Sequence, residues 1–183
     1  MGPSERPRLD IVRIGGSARA CGAGGEERVA KVLARYLDDS VVVLHDRRVP
    51  RSRVNIDQIA VARSGIWVIN SKRYAGKVCV SKPLFGPVKL TIAGRDRTKL
   101  VEGLTKQLAL AEAVMPDIAP GVPARGALCF VDADFPVLGK LTFNGYPLLA
   151  TKSLARRINA KGPVSGEEVP LIAARIAKRF PLA

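Results

Sequence analysis

Residues 55–73 read Asn55-Ile56-Asp57-Gln58-Ile59-Ala60-Val61-Ala62-Arg63-Ser64-Gly65-Ile66-Trp67-Val68-Ile69-Asn70-Ser71-Lys72-Arg73. Two apolar runs flank the turn pair Ser64-Gly65, which is the pattern of a β-hairpin. Side chains alternate across a strand, so Asn55, Asp57, Ile59 and Val61 share one face of the first strand. Ile66, Val68, Asn70 and Lys72 share one face of the second. With Ser64-Gly65 as a two-residue turn, Arg63 pairs with Ile66. Antiparallel counting then sets Asp57 opposite Lys72, with Asn70 one same-face step away. A carboxylate, an amide and an ammonium converge at the open end of the hairpin.

Metal-dependent phosphodiester hydrolysis requires such a convergence. A carboxylate holds Mg2+ or Mn2+, a second oxygen ligand precedes a lysine by two residues, and the lysine orients water or stabilises the charge growing on phosphate. Asp57, Asn70 and Ser71 are the metal-ligating candidates of this stretch, with the side chain of Ser71 falling on the opposite face of its strand. Aspartate is depleted in strands, so one between Ile56 and Ile59 either binds a metal or pairs with a cation. A plain salt bridge between Asp57 and Lys72 is the simpler alternative.

The whole chain sets the class of partner. It has 183 residues, enough for one core, and 30 Lys plus Arg against 16 Asp plus Glu, a net charge of +14. Such a surplus favours polyanions through counterion release and steering, with nucleic acid foremost. Cys21, Cys79 and Cys129 are widely separated and odd in number, which argues against a disulfide framework or a zinc site. No signal-type apolar core opens the chain and no stretch is long and apolar enough for a membrane span. A cytoplasmic, non-membrane protein is expected.

Residues 1–21, rich in Arg, Gly and Pro, are expected to be a flexible basic arm. Residues 22–183 are expected to form one domain with a C-terminal helical extension. Val29, Val32, Leu33, Tyr36 and Leu37 recur at helical spacing from Glu26 to about Asp38-Asp39. A β-branched strand follows over residues 41–45, then a basic loop into the hairpin. Past Tyr74-Ala75-Gly76, strands are expected over residues 77–80 and 88–92. Thr98 is a candidate N-cap for a helix running to about Met115, with Leu100, Leu104, Leu108 and Ala111 buried and Pro116 stopping it. Further strands are expected over residues 125–131 and 147–150, and helices over 152–160 and 166–180. The order α, three β, α, β implies an α/β sandwich with a central mixed sheet flanked by helices.

Glu26 opens the first helix, where an acid is favourable simply through the helix dipole, although its position also brings it towards the sheet. Gln107 projects from the apolar face of the later helix, either as a satisfied core amide or as a ligand for water or phosphate. His45-Asp46 lacks the further ligands of a metal phosphohydrolase, and His45 is read as structural. The glycines around Gly22 fit no Walker loop or dinucleotide fingerprint. A single histidine and no Gly-x-Ser-x-Gly elbow exclude a serine hydrolase triad.

Taken together, Gly22-Ala23-Gly24-Gly25-Glu26, Val43-Leu44-His45-Asp46, Asn55-Ile56-Asp57-Gln58, Gly65-Ile66-Trp67-Val68-Ile69-Asn70-Ser71-Lys72 and Tyr74-Ala75-Gly76 resemble the nuclease-related domain family of the PD-(D/E)xK nuclease superfamily. The resemblance covers residues 22–115 most strongly. It implies a restriction-endonuclease-like sandwich with an αβββαβ core and a Mg2+- or Mn2+-dependent DNA nuclease. Glu26 would be the helix-borne acid, Asp57 the principal metal ligand, Asn70 the residue at the (D/E) position, Lys72 the catalytic lysine and Gln107 the helix-borne glutamine. Asn70 departs from the pattern, which expects an acid there. The loss of a carboxylate implies a weakened or inactive nuclease, or a non-catalytic DNA-binding module on the same fold. Arg47, Arg48, Arg51, Arg53, Arg73, Arg95, Arg97 and Lys99 are the expected nucleic-acid contacts. The shortage of aromatics favours duplex or branched DNA over single strands, and a homodimer would suit cutting of both strands.

Overall fold

β-Branched and aromatic residues dominate the hairpin region. In the computed structural model, which describes residues 31–136 and 139–183, they form β2 (Asn55–Ala62) and β3 (Gly65–Ser81). Ala62 pairs with Gly65 and Val61 with Ile66, so the turn residues are Arg63-Ser64 and not Ser64-Gly65. The glycine answers a different need. Gly65 has φ 122°, and a Cβ there would lie 2.7 Å from the Pro123 carbonyl, which accepts a hydrogen bond from Ile66 N at 3.0 Å. Ser64 is fixed instead by side chains: its Oγ accepts from Trp67 Nε1 at 2.9 Å and donates to the Ile158 carbonyl at 2.7 Å. The ladder ends at Gln58 paired with Ile69. Continuing that register puts Asp57 level with Asn70, and Lys72 one same-face step beyond.

The sheet has the order β1-β2-β3-β6-β8-β7, with β1 (Val42–Arg48), β6 (Ala124–Asp134), β7 (Thr142–Phe143) and β8 (Tyr146–Ala150). β1, β2 and β3 are antiparallel neighbours, whereas β3–β6 and β6–β8 are parallel. The sheet is therefore mixed, as a crossover helix allows. Helices cover both faces. Ile59, Val61, Ile66 and Val68 join one core with Leu104 and Leu108 of α2 (Lys99–Glu112), Ile118 of α3 (Met115–Ile118) and Ile172 and Ile176 of α5 (Glu168–Arg179). Ala60, Ala62, Trp67 and Ile69 join a second core with Leu33 of α1 (residues 31–34) and Leu154 and Ile158 of α4 (Thr151–Ile158). This is the αβββαβ sandwich.

Three local expectations are corrected. Tyr74-Ala75-Gly76 does not interrupt the second strand. β3 continues through a bulge between Arg73 and Gly76, then outruns β6 and pairs with β4 (Lys89–Ile92), which pairs with β5 (Arg95–Asp96). Gly76 is needed there, with φ 101° and a hypothetical Cβ only 2.8 Å from that of Ala93. Thr98 does not cap α2 with its side chain; its Oγ1 accepts from Leu90 N at 3.2 Å, while Asp96 Oδ1 accepts from Thr98 N at 2.9 Å. Val101, not Leu100, completes the buried stripe of α2, and the helix ends at Glu112. Pro116 lies in the first turn of α3, where proline's missing N–H costs nothing.

Among the described residues no helix is long and apolar enough to cross a membrane. Cys79 and Cys129 are free thiols; burial of Cys129 pushes its thiol up to about 11. Glu26, Cys21 and the arm lie outside the described residues.

The C-terminal residues run along β1. Arg48 N donates to the Pro181 carbonyl at 2.8 Å and Ala183 N to the Asp46 carbonyl at 3.1 Å, and Arg47 bridges to Leu182. Arg47, beside this contact, is only 7% exposed, so it is withdrawn from the set of surface contacts for nucleic acid. His45 is affected in turn: burial, and then the Arg47 guanidinium, lower its pKa from the usual 6.5. A folded state that disfavours the imidazolium loses stability once the unfolded chain begins to bind that proton. The thermal midpoint is expected to fall as pH drops from about 7.5 to about 5.5, with the loss setting in near the unfolded histidine value. A His45→Gln variant should show a flatter profile over the same range; an unchanged slope would remove His45 as the cause.

Candidate active site

Asp57 is brought to Lys72 and Asn70 by the β2–β3 pairing, and α2 is laid over this face by Leu104 and Leu108. Gln107, between those two leucines, is thereby buried against the strands. Lys72 Nζ lies 2.8 Å from Asp57 Oδ2, with the two side chains 27% and 20% exposed, respectively. Gln107 Nε2 donates to the Asn55 carbonyl at 2.8 Å and, more weakly, to Asp57 Oδ1 at 3.4 Å. Asn70 Nδ2 donates to Gln107 Oε1 at 3.4 Å. Asn70 is 6% exposed, and its Oδ1 has no hydrogen-bond partner among the described residues.

Four of the candidate residues therefore form one hydrogen-bonded cluster. Gln107 is both a satisfied buried amide and the group that braces Asp57. The ion pair anticipated as the simpler alternative is also present, so Asp57 contacts Lys72 through one carboxylate oxygen and Gln107 through the other. Ser71 is buried on the opposite face of β3, the side occupied by Ile69 and Cys129. Strand alternation turns its hydroxyl away from Asp57, and it is withdrawn as a side-chain ligand.

The oxygen donors are of the kind that hard divalent cations take: a carboxylate at Asp57 and an unpartnered amide carbonyl at Asn70. No group of three or more His, Cys, Asp or Glu gathers into a metal-type cluster among the described residues. Asp57 and Lys72 together carry no net charge. These residues fit a weak Mg2+ site, one that leaves most positions to water and phosphate oxygens.

Beyond Lys72 the same face of β3 presents Tyr74, whose ring lies 6.3 Å from Phe130 and 4.6 Å beneath the Arg97 guanidinium. Tyr74, Asp96, Arg97, Thr98, Lys99 and Glu102 line a cleft of about 600 Å³ beside the start of α2. Strand alternation from Asn70 and Lys72 points to Tyr74; its pairing with Arg97 depends on the β4–β5 return and is invisible to local periodicity. Arg48, Arg51, Arg53, Arg95 and Lys99 are exposed. Arg73 is exposed too, although its Nε contacts Asp132 Oδ2 at 2.6 Å.

The family model described as nuclease-related domain matches residues 21–131. That span includes every strand and helix that supplies the cluster. No curated protein and no solved structure matches the chain. The order of the elements, the cluster on β2, β3 and α2, and this match agree: the chain belongs to the nuclease-related domain family.

Proposed function

We propose that the protein is a divalent-metal-dependent DNA nuclease whose activity is attenuated by Asn70. The observation that carries this reading is the cluster of Asp57, Asn70, Lys72 and Gln107 around an unpartnered, buried Asn70 Oδ1. Asp57 and Asn70 would hold Mg2+ or Mn2+ through their oxygens. When bound, the ion supplies Lewis acidity towards a phosphate oxygen and acidifies its water. Gln107, anchored on the Asn55 carbonyl, fixes the Asp57 carboxylate. Lys72 turns its ammonium from Asp57 to an incoming phosphate oxygen or to the attacking water, placing positive charge where negative charge grows. The exposed arginines and Lys99 would hold the DNA backbone, with duplex or branched DNA as substrate, and a homodimer would bring a second centre to the opposite strand.

A specific observation also favours a second reading, a DNA-binding module without catalysis. The Asp57–Lys72 pair neutralises the carboxylate that a cation would need.

Fluorescence anisotropy with labelled linear duplex, branched and single-stranded DNA, over a salt series with and without Mg2+ or Mn2+, tests both. Six or more phosphate contacts should weaken binding by roughly a thousandfold or more between about 50 mM and about 200 mM salt. The nuclease reading expects metal to strengthen binding or to permit slow cleavage. Tight, salt-sensitive but metal-indifferent binding without cleavage selects the second reading, and no binding at low salt defeats both.

A further inference from the structure

The ribbon formed by the far half of β3 and by β4 ends in a loop, Lys82-Pro83-Leu84-Phe85-Gly86-Pro87-Val88, in which Leu84 is 97% and Phe85 93% exposed. Elsewhere on the ribbon the apolar residues are used for packing: Val78, Leu90 and Ile92 are buried in the main core. Leu84 and Phe85 forgo that burial, which is the main favourable term in folding. Their neighbours hold the tip in shape. Pro83 and Pro87 restrict the backbone on either side, and Gly86 has φ 103° with open space around it. Lys82 and Lys89 are exposed beside the tip, Lys89 in a loose, solvent-screened ion pair with Asp96 Oδ2 at 3.9 Å, and Lys77 and Arg95 are exposed further down the ribbon.

We propose that Leu84 and Phe85 form a wedge that enters between base pairs of bound DNA, with Lys82 and Lys89 holding the flanking phosphates. The inference rests on the DNA-binding reading above and adds to it how the duplex is deformed. An apolar pair bracketed by cations matches the chemistry of a stacked, polyanionic duplex. Phe and Leu are side chains that wedge between base steps, and a partly unstacked step lets the DNA bend onto more of the protein.

The position also fits. The tip directly follows the strand that carries Asn70 and Lys72, so the chain links the two without an intervening element. From Lys72 to Ser81 the strand extends at most about 30 Å at ~3.3 Å per residue. At ~3.4 Å per base pair, the end of the strand lies no more than about nine base pairs from a phosphate held at Lys72, and the wedged step lies just beyond it.

The test uses the full chain and a set of duplexes carrying 2-aminopurine at one position each. Binding is followed by anisotropy, and unstacking by the 2-aminopurine emission. The expected result is a several-fold emission increase confined to one or two neighbouring steps. A Leu84→Ser, Phe85→Ser double variant, whose fold is checked by circular dichroism, should lose this increase and bind roughly tenfold more weakly. It should keep a salt dependence close to that of the unsubstituted protein, since the lysines are unchanged.

Binding by the unsubstituted protein with no emission change at any position overturns the wedge while leaving DNA binding intact. An increase that survives in the double variant overturns it as well. Absence of any DNA binding defeats the underlying function too. Association with phosphatidylserine vesicles that the double substitution abolishes, with DNA emission unaffected, assigns the tip to a membrane surface instead. A concentration-dependent dimer abolished by the same substitutions, again without emission change, assigns it to a second copy.

Discussion

Introducing a carboxylate with Asn70→Asp is expected to tighten Mg2+ binding by about 10–100-fold and to raise DNA cleavage in Mg2+ or Mn2+. Asparagine and aspartate have nearly the same shape, so the buried packing around position 70 is preserved. The change is electrostatic. A divalent ion ~4 Å from an added carboxylate gains ~2 kcal/mol with bulk-water screening and ~8 kcal/mol with the screening usual near a protein surface. Desolvation removes much of this, and a remainder of ~1.5–3 kcal/mol corresponds to the stated range. Without metal the substitution has a cost. Gln107 Oε1 now accepts from Asn70 Nδ2, and in the variant it would face a second acceptor, destabilising the folded state by ~1–3 kcal/mol. The variant should therefore melt lower than the unsubstituted protein in a chelator, and its midpoint should rise more on adding Mg2+, because ligand binding stabilises in proportion to occupancy. Calorimetric titration beside thermal melts checks both limbs. Equal metal affinity in the two proteins, with no cleavage by either, would sink the proposed chemistry.

Much of the sheet was legible because alternation is a local signal. Period two puts Ile59, Val61, Ile66 and Val68 on one face, and they pack into one core beneath α2 and α5. The convergence of Asp57, Asn70 and Lys72 follows from the same rule, although the turn lies one residue earlier than Ser64-Gly65. The side-chain faces survived that error because pairing residues whose numbers sum to 127 in place of 129 shifts the partner by two, which returns to the same face. Gly65 misled because glycine signals a turn locally, whereas here it serves the approach of the Pro123 carbonyl. Helical periodicity puts Gln107 on the buried face of its helix, but its bond to the Asn55 carbonyl depends on how α2 crosses the strands. Burial of Arg47 was beyond local reading altogether. It accompanies the packing of α5 and residues 181–183 against β1, contacts of long sequence separation that no window around Arg47 contains.

Lys72 separates structure from catalysis most sharply. In the Asn70→Asp background, Lys72→Met is expected to lower the cleavage rate by about 100- to 1000-fold. The loss of stability should be far smaller. Both partners of the Asp57–Lys72 pair remain partly exposed, so solvent screening limits the pair to ~1 kcal/mol or less. A purely structural lysine would give the reverse pattern, a lower melting midpoint and a rate that recovers once the folded fraction is restored at lower temperature. Lys72→Arg adds a second discrimination. A guanidinium can keep the ion pair to Asp57, yet its flat, bulkier fork cannot place a compact charge where an ammonium sits. The arginine variant should therefore melt close to the parent and cleave nearly as poorly as the methionine variant. Single-turnover rates at saturating metal, read beside DNA affinity measured in Ca2+, keep binding apart from chemistry. If Lys72→Arg restores the rate as fully as it restores stability, the amine acts only through the position of Asp57, and the role assigned to it at the phosphate fails.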